Sequence, residues 1–297
     1  MKRGCIVMMR HGRSFADRRK KQTPAKNFAC AFLLTLVLAL ASCAGRSAKE
    51  PQTHDFGVFL GASDEDVLQR SEGYRLIAVD GQDISAETVK KLKDDGHVVY
   101  GYLSVGSLEN YRPYYDDFKD MILGSYENWP DEYWIDVSDE RWQSFVVDSL
   151  ATAMKKKGFD GVFVDNTDVY YNYPSEQVYT GLKTIIFGIR QHELPAMVNG
   201  GDSFVARLID EGDADLINSV SQESVFSCIE DYEENIFARQ EPEETEYFKE
   251  YVERVSAAGI DVYLIEYTID AGLISEINEY CAGHGYHYYV SAHVGLD

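Results

Sequence analysis

The stretch Gly158-Phe159-Asp160-Gly161-Val162-Phe163-Val164-Asp165-Asn166-Thr167-Asp168 decides how this chain folds. A glycine closes a helical run, a short apolar run follows, and that run ends in carboxylates and an amide. Just upstream, Arg141 to Lys157 carries apolar residues at Phe145, Val146, Leu150 and Met154, a helical stripe. A strand buried on both faces reads as a continuous apolar run, so helix, glycine, strand and polar end together describe one βα unit. The same punctuation recurs at Gly96 and Gly259.

Working outward, eight strand candidates separated by helical stretches appear: Phe56–Leu60, Leu76–Asp80, Val98–Ser104, Gly161–Asp165, Ala196–Asn199, Leu216–Val220, Val262–Glu266 and Tyr286–Ser291. Of the 297 residues, 254 follow Cys43, which matches the roughly 250 a (β/α)8 barrel needs. A single-domain α/β TIM barrel over 55–297 is the predicted fold. The rival, an open doubly wound sheet, lacks a G-x-G-x-x-G after its first strand. Tyr133-Trp134-Ile135-Asp136 is strand-like and is assigned to the long connection after the third strand. The acidic run Glu230–Glu246 is expected to form an excursion on the catalytic face or a solvated surface.

Charge divides the chain in two. It holds 28 basic and 50 acidic residues, a formal charge of −22. Residues 1–49 carry 11 Lys/Arg and one acid, leaving 17 basic and 49 acidic residues beyond them. So acidic a domain is no nucleic-acid binder, which needs a basic stripe. The basic leader precedes an apolar run, Phe28 to Ala41, too short for a comfortable membrane span and suited to a signal peptide. Leu40-Ala41-Ser42-Cys43 resembles a bacterial lipobox. The expectation is a signal peptide at 1–42, a lipidated Cys43 with a short tether at 43–54, and an extracytoplasmic protein lipid-anchored to a bacterial membrane. Cys228 and Cys281 sit where an oxidising compartment permits a disulfide, though nothing in their spacing requires one. His284, His287 and His293 read as barrel or surface residues, and no Cys/His cluster has zinc spacing, so no metal is expected.

Chemistry in such a barrel sits at the C-terminal strand ends. Here those ends offer Tyr102 and Ser104, then Asp165 to Asp168, then Asn199 to Asp202, then Gln222-Glu223, then Glu266-Tyr267. A single Asp there is often only a helix cap. Five polar ends together suit a glycosidase, in which one carboxyl protonates the leaving oxygen and a second attacks or activates water. Among 21 tyrosines, Tyr111, Tyr114, Tyr115, Tyr170, Tyr171 and Tyr173 fall in loops where rings stack on sugars. No G-x-S-x-G, P-loop or H-E-x-x-H supports a serine esterase, an NTPase or a zinc protease.

Gly101-Tyr102-Leu103-Ser104-Val105-Gly106-Ser107-Leu108-Glu109, Trp134-Ile135-Asp136 and the 158–168 string, in that order, resemble glycoside hydrolase family 114, a family of TIM barrels that includes endo-α-1,4-polygalactosaminidases. The resemblance runs over about 56–293 and implies Asp165 and Glu223 as catalytic carboxylates. It implies Tyr102, Asp136, Asp168, Asn199 and Glu266 as substrate-binding residues. It also implies an endo-acting, cofactor-free enzyme, acting with retention on a cationic amino-sugar polysaccharide that the acidic surface attracts. A monomer is expected. One alternative is a non-catalytic carbohydrate-binding lipoprotein on the same barrel; another is a glycosidase for a different sugar. Where many family members carry an acid after Y-x-S-x-G, this chain has Ser107, which marks the subsite beside the third strand as different.

Overall fold

The computed structural model of the protein describes residues 54–296 apart from residue 128. The expected signal peptide, the lipidation site Cys43 and all of the tether but its last residue lie outside the described residues. No helix among the described residues is long and apolar enough to cross a membrane.

The chain begins with three strands, β1 (His54–Phe59), β2 (Tyr74–Asp80) and β3 (Val98–Ser104). It then leaves the barrel for a small antiparallel sheet of β4 (Ser107–Glu109), β5 (Ile122–Ser125) and β6 (Glu132–Ile135). It returns through β7 (Gly161–Asp165), β8 (Ala196–Asn199) and β9 (Ser219–Glu223). A hairpin follows, β10 (Ser227–Asp231) and β11 (Ile236–Arg239), before β12 (Asp261–Tyr267) and β13 (His287–Ser291). Strands β1, β2, β3, β7, β8, β9, β12 and β13 pair in that order, every pair parallel. The last strand comes back beside the first. Phe59 and Tyr289 rings lie 5.9 Å apart, and His287 Nδ1 is 3.1 Å from Asp55 Oδ2. The result is a nearly closed (β/α)8 barrel.

Local chemistry explains the helices. Ser63, Ser85, Ser175 and Asp270 each cap one by accepting a backbone N–H of its first turn. The helix Glu176–Gln191 buries Val178, Leu182, Ile185, Ile186 and Ile189 on one stripe. Gly96, Gly158 and Gly259 all hold positive φ, as helix-ending glycines do.

One barrel strand departs from expectation. The sixth barrel strand runs Ser219–Glu223 rather than Leu216–Val220. Residues Ala214–Leu216 form a 3₁₀ turn, and the Asn218 side chain accepts the Ala196 N–H at 3.2 Å. Glu223 is therefore the final residue of its strand and points from a rigid element. The strand-like Tyr133-Trp134-Ile135 is a strand and, as expected, lies in the connection after β3, where it joins the side sheet. The acidic run Glu230–Glu246 divides between the hairpin and the first turn and a half of helix Pro242–Ala257. Cys228 and Cys281 form no disulfide.

Candidate active site

Asp165, Asn199 and Glu223 end three consecutive barrel strands and meet at the mouth. Their side chains face the same way because Asp165 lies two residues beyond Phe163, which pairs with Met197, and Asn199 pairs with Ser221, two residues before Glu223. The Asn199 amide joins the two carboxylates. Its Nδ2 donates to Asp165 Oδ1 at 3.0 Å and to Glu223 Oε1 at 2.7 Å. Sharing one amide nitrogen, these two carboxyl oxygens stand no more than about 5.7 Å apart. The amide nitrogen thus serves both acids and its oxygen is turned away from them. That oxygen, Asn199 Oδ1, is buried and has no hydrogen-bond partner.

The strand after the hairpin supplies Tyr267, whose hydroxyl donates to Glu223 Oε2 at 2.8 Å. Burial pushes the Glu223 carboxyl up to about 8, and the nearby Asp165 charge adds to the rise, while the Asn199 and Tyr267 hydrogen bonds oppose it. At neutral pH Glu223 thus holds a proton. Phe237 of the hairpin packs 5.9 Å from the Tyr267 ring. The hairpin's Tyr232 meets Trp129 of the first excursion edge-on at 5.4 Å, so the two excursions touch each other.

A second buried network braces the loop after Asp165. Asn166 stands at φ +66° and its Nδ2, with two N–H groups to share, lies 2.8–2.9 Å from Ser104 Oγ, Ser107 Oγ and Glu132 Oε1. Tyr126 Oη donates to Asn166 Oδ1 at 2.9 Å, and the Tyr126 ring stacks on Trp134 at 4.2 Å. Ser107 also donates to Glu132. Glu132 of β6 thus sets a carboxylate beside Ser107 and Asn166. A Cβ on Gly106 would sit 1.8 Å from the Asn166 carbonyl oxygen, so only glycine lets the excursion start this close to the Asp165 loop.

The remaining expected residues sort into three groups. Tyr102 is fully buried inside the barrel, its ring 6.4 Å from Phe163 and on the same face as Asp165. Asp168 stands beyond Asp165, where both its oxygens accept the Gly201 N–H at 3.2 Å. The other two are bonded to protein groups. Asp136 Oδ1 accepts the Ser138 N–H at 3.0 Å and the Ser138 hydroxyl at 2.6 Å, which forms a turn. Glu266 alternates with Tyr267, so it points away from the barrel lumen. Its carboxylate takes the backbone N–H groups of Val225, Phe226 and Ser227 and the Ser227 hydroxyl. Tyr267, its neighbour in sequence, is the residue that reaches Glu223. Of the six tyrosines expected to stack on sugars, Tyr111 and Tyr171 are exposed, while Tyr114 packs against Phe145 at 4.7 Å. No group of three His, Cys, Asp or Glu among the described residues is arranged to hold a metal ion.

The model of glycoside-hydrolase family GH114 matches residues 38–293. The chain belongs to glycoside-hydrolase family GH114. It is thus a glycoside hydrolase. No curated protein sequence is a significant match. The fold is similar to the glycoside hydrolase domain of PelA from Pseudomonas aeruginosa, at a TM-score of 0.66 and 18% identity, covering 84% of this chain and 97% of that one. It is also similar to Aspergillus fumigatus Ega3, solved in complex with galactosamine, at a TM-score of 0.61 and 17% identity, covering 84% and 95%. An α-galactosidase from Thermus thermophilus shares the fold more distantly, at a TM-score of 0.54 and 10% identity over 80% of this chain and 58% of that one.

Proposed function

We propose that this GH114 member is an endo-acting hydrolase of α-1,4-linked galactosamine-containing polysaccharide, with Asp165 as nucleophile and Glu223 as general acid. The observation that carries this reading is the single Asn199 amide bonded to both carboxylates. An amide shared at 3.0 and 2.7 Å keeps the two acids close, which supports attack by one and proton delivery by the other with retention, the outcome expected of carboxyl groups about 5–5.5 Å apart. The environments divide the labour. Glu223 keeps its proton near neutral pH and gives it to the leaving oxygen. Once that proton is gone, Glu223 activates the water that releases the sugar from Asp165. Asn199 Oδ1 is a buried acceptor available to a sugar hydroxyl or amine. A similar fold solved with galactosamine, and the acidic surface, support an amino sugar as substrate.

The test is chain-length analysis after incubation with galactosamine, N-acetylgalactosamine and glucosamine polymers. Shortening of the galactosamine chain into oligomers is the expected result, and release of monomers alone overturns the endo mode. The pH profile follows from Glu223. The acid acts only when protonated, so kcat/KM is expected to hold up to its pKa of about 8 and then to fall about tenfold per pH unit. A basic limb already falling below pH 6 contradicts the assignment.

We also propose that Cys43 carries a lipid that anchors the barrel outside the cytoplasm, on the strength of Leu40-Ala41-Ser42-Cys43. Cys43→Ala is expected to abolish labelling by a palmitate analogue in cells. Unchanged labelling removes the anchor.

A further inference from the structure

Beside the reacting pair, on the side of β7 and β8, lies a second pair of acids. Gly200 and Gly201 directly follow Asn199, and the Gly201 N–H is held by Asp168. Asp202 comes next and starts the helix Asp202–Glu211. Its Oδ2 accepts the hydroxyl of Tyr247, from helix Pro242–Ala257. Asp168 and Asp202 repel each other, and burial with that repulsion pushes the Asp168 carboxyl up to about 8. Neither forms an ion pair with any described Lys, Arg or His. The cations on the adjoining helices are engaged elsewhere: Arg207 by Glu176 and Glu211, Arg254 by Asp210, and Lys249 over the Phe226 and Tyr280 rings.

A second observation concerns the side chains packed beside these acids. Tyr251 lies one helical turn beyond Tyr247 on the same face, so its ring follows Tyr247 toward the acid pair. It is 6% exposed, its hydroxyl is buried without a hydrogen-bond partner, and its phenol feels the charges of Asp202 and Asp168. The Thr167 hydroxyl, packed against Gly201, is likewise buried without a partner. Buried hydroxyls normally find partners, and like charges normally recruit a cation. At the mouth, Tyr171 and Tyr247 keep half of their surface exposed.

We propose that Asp168, Asp202 and Tyr251 form a subsite for the protonated amine of a hexosamine unit, adjacent to the sugar held at Asp165 and Glu223. The proposal rests on the amino-sugar reading above and narrows it to the free amine. An ammonium carries three N–H donors and one positive charge. It satisfies both carboxylates at once, cancels their repulsion and offers a donor to the Tyr251 oxygen. Tyr171 and Tyr247 present ring surface to the sugar that bears it. An N-acetyl group has no charge and only one N–H, and its methyl would face carboxylates.

The test is calorimetric binding to the full chain in detergent, carrying Glu223→Gln to stop turnover. The probes are an α-1,4-galactosamine tetramer and its fully N-acetylated counterpart. The parent is expected to prefer the amine tetramer by about 30-fold, a charge-assisted contact's worth of affinity. Asp202→Asn is expected to cut that preference to about threefold or less. Tyr251→Phe, which removes a hydroxyl with no partner to lose, is expected to cut it severalfold at unchanged Tm. Equal affinity for the two probes in the parent overturns the subsite. So does an undiminished preference in folded Asp202→Asn or in Tyr251→Phe. The two readings fail separately. Wild-type cleavage of the amine polymer with the preference intact in the variants overturns the subsite alone. A preference lost in the variants without any wild-type cleavage overturns the hydrolytic reading alone.

Discussion

Asp165→Asn and Glu223→Gln are each expected to lower kcat by about 10²–10⁴-fold while the protein stays folded and still binds its polysaccharide. The substitutions keep shape and remove only the ability to ionise or to carry the transferable proton. Each amide can still accept one hydrogen bond from Asn199, so the bridge at 3.0 and 2.7 Å is preserved in part and the strand ends stay in place. The two losses differ in kind. Without the acid, a substrate whose leaving group needs no proton recovers activity, so Glu223→Gln is expected to cleave an aryl galactosaminide far better than the natural polymer. Without the nucleophile, leaving-group quality brings no rescue. Kinetics on both substrates check this, and full activity in either variant removes the pair from the mechanism.

The second large effect is on stability. Glu266→Ala is expected to cost about 3–5 kcal/mol, because hydrogen bonds to a charged group contribute about 1.5–3 kcal/mol and stranded buried donors add their own penalty. Glu266 is fully buried, and its carboxylate is the acceptor for three successive backbone N–H groups and one hydroxyl. Burying a carboxyl works against this, which is why Glu266 is pushed up to about 7. Alanine relieves that cost but leaves the donors of Val225, Phe226 and Ser227 buried with no acceptor. A Tm lower by about 10 °C is the expected readout, at about 2–4 °C per kcal/mol for a domain this size. Activity is expected to fall too, since the anchored loop follows Glu223 directly. A Tm within about 2 °C of wild type contradicts the structural role given to Glu266.

Much of this was legible in the residues. The barrel follows from buried apolar runs, helix-ending glycines and chain length, and Asp165 announces itself by ending one of those runs. Glu223 was named from resemblance, with its strand drawn too early. The Ala214–Leu216 turn and the Asn218 side chain set the true start, and both depend on β8 across the sheet. At Glu266-Tyr267, alternation guarantees that only one of the two faces the lumen, but which one is set by register with β9. The carboxylate drew attention and the phenol did the reaching. Asp136 is named through the resemblance alone, and in the long connection after β3 it directly follows the side-sheet strand and closes a turn. The Asn166–Glu132–Tyr126 network joins residues 34 and 40 positions apart. No local pattern marks it, because the long excursion between β3 and β7 folds back only through tertiary packing.

The central claim is that one amide fixes two carboxylates at the spacing for double displacement, and the configuration of the first product tests it most directly. Proton NMR, recorded before mutarotation while the enzyme cuts an α-1,4-galactosamine polymer, reads the anomeric signal of the new reducing ends. The account predicts that the α-anomer appears first and then equilibrates. A β-anomer appearing first would mean direct attack by water across a wider gap, and would contradict the roles assigned to Asp165 and Glu223.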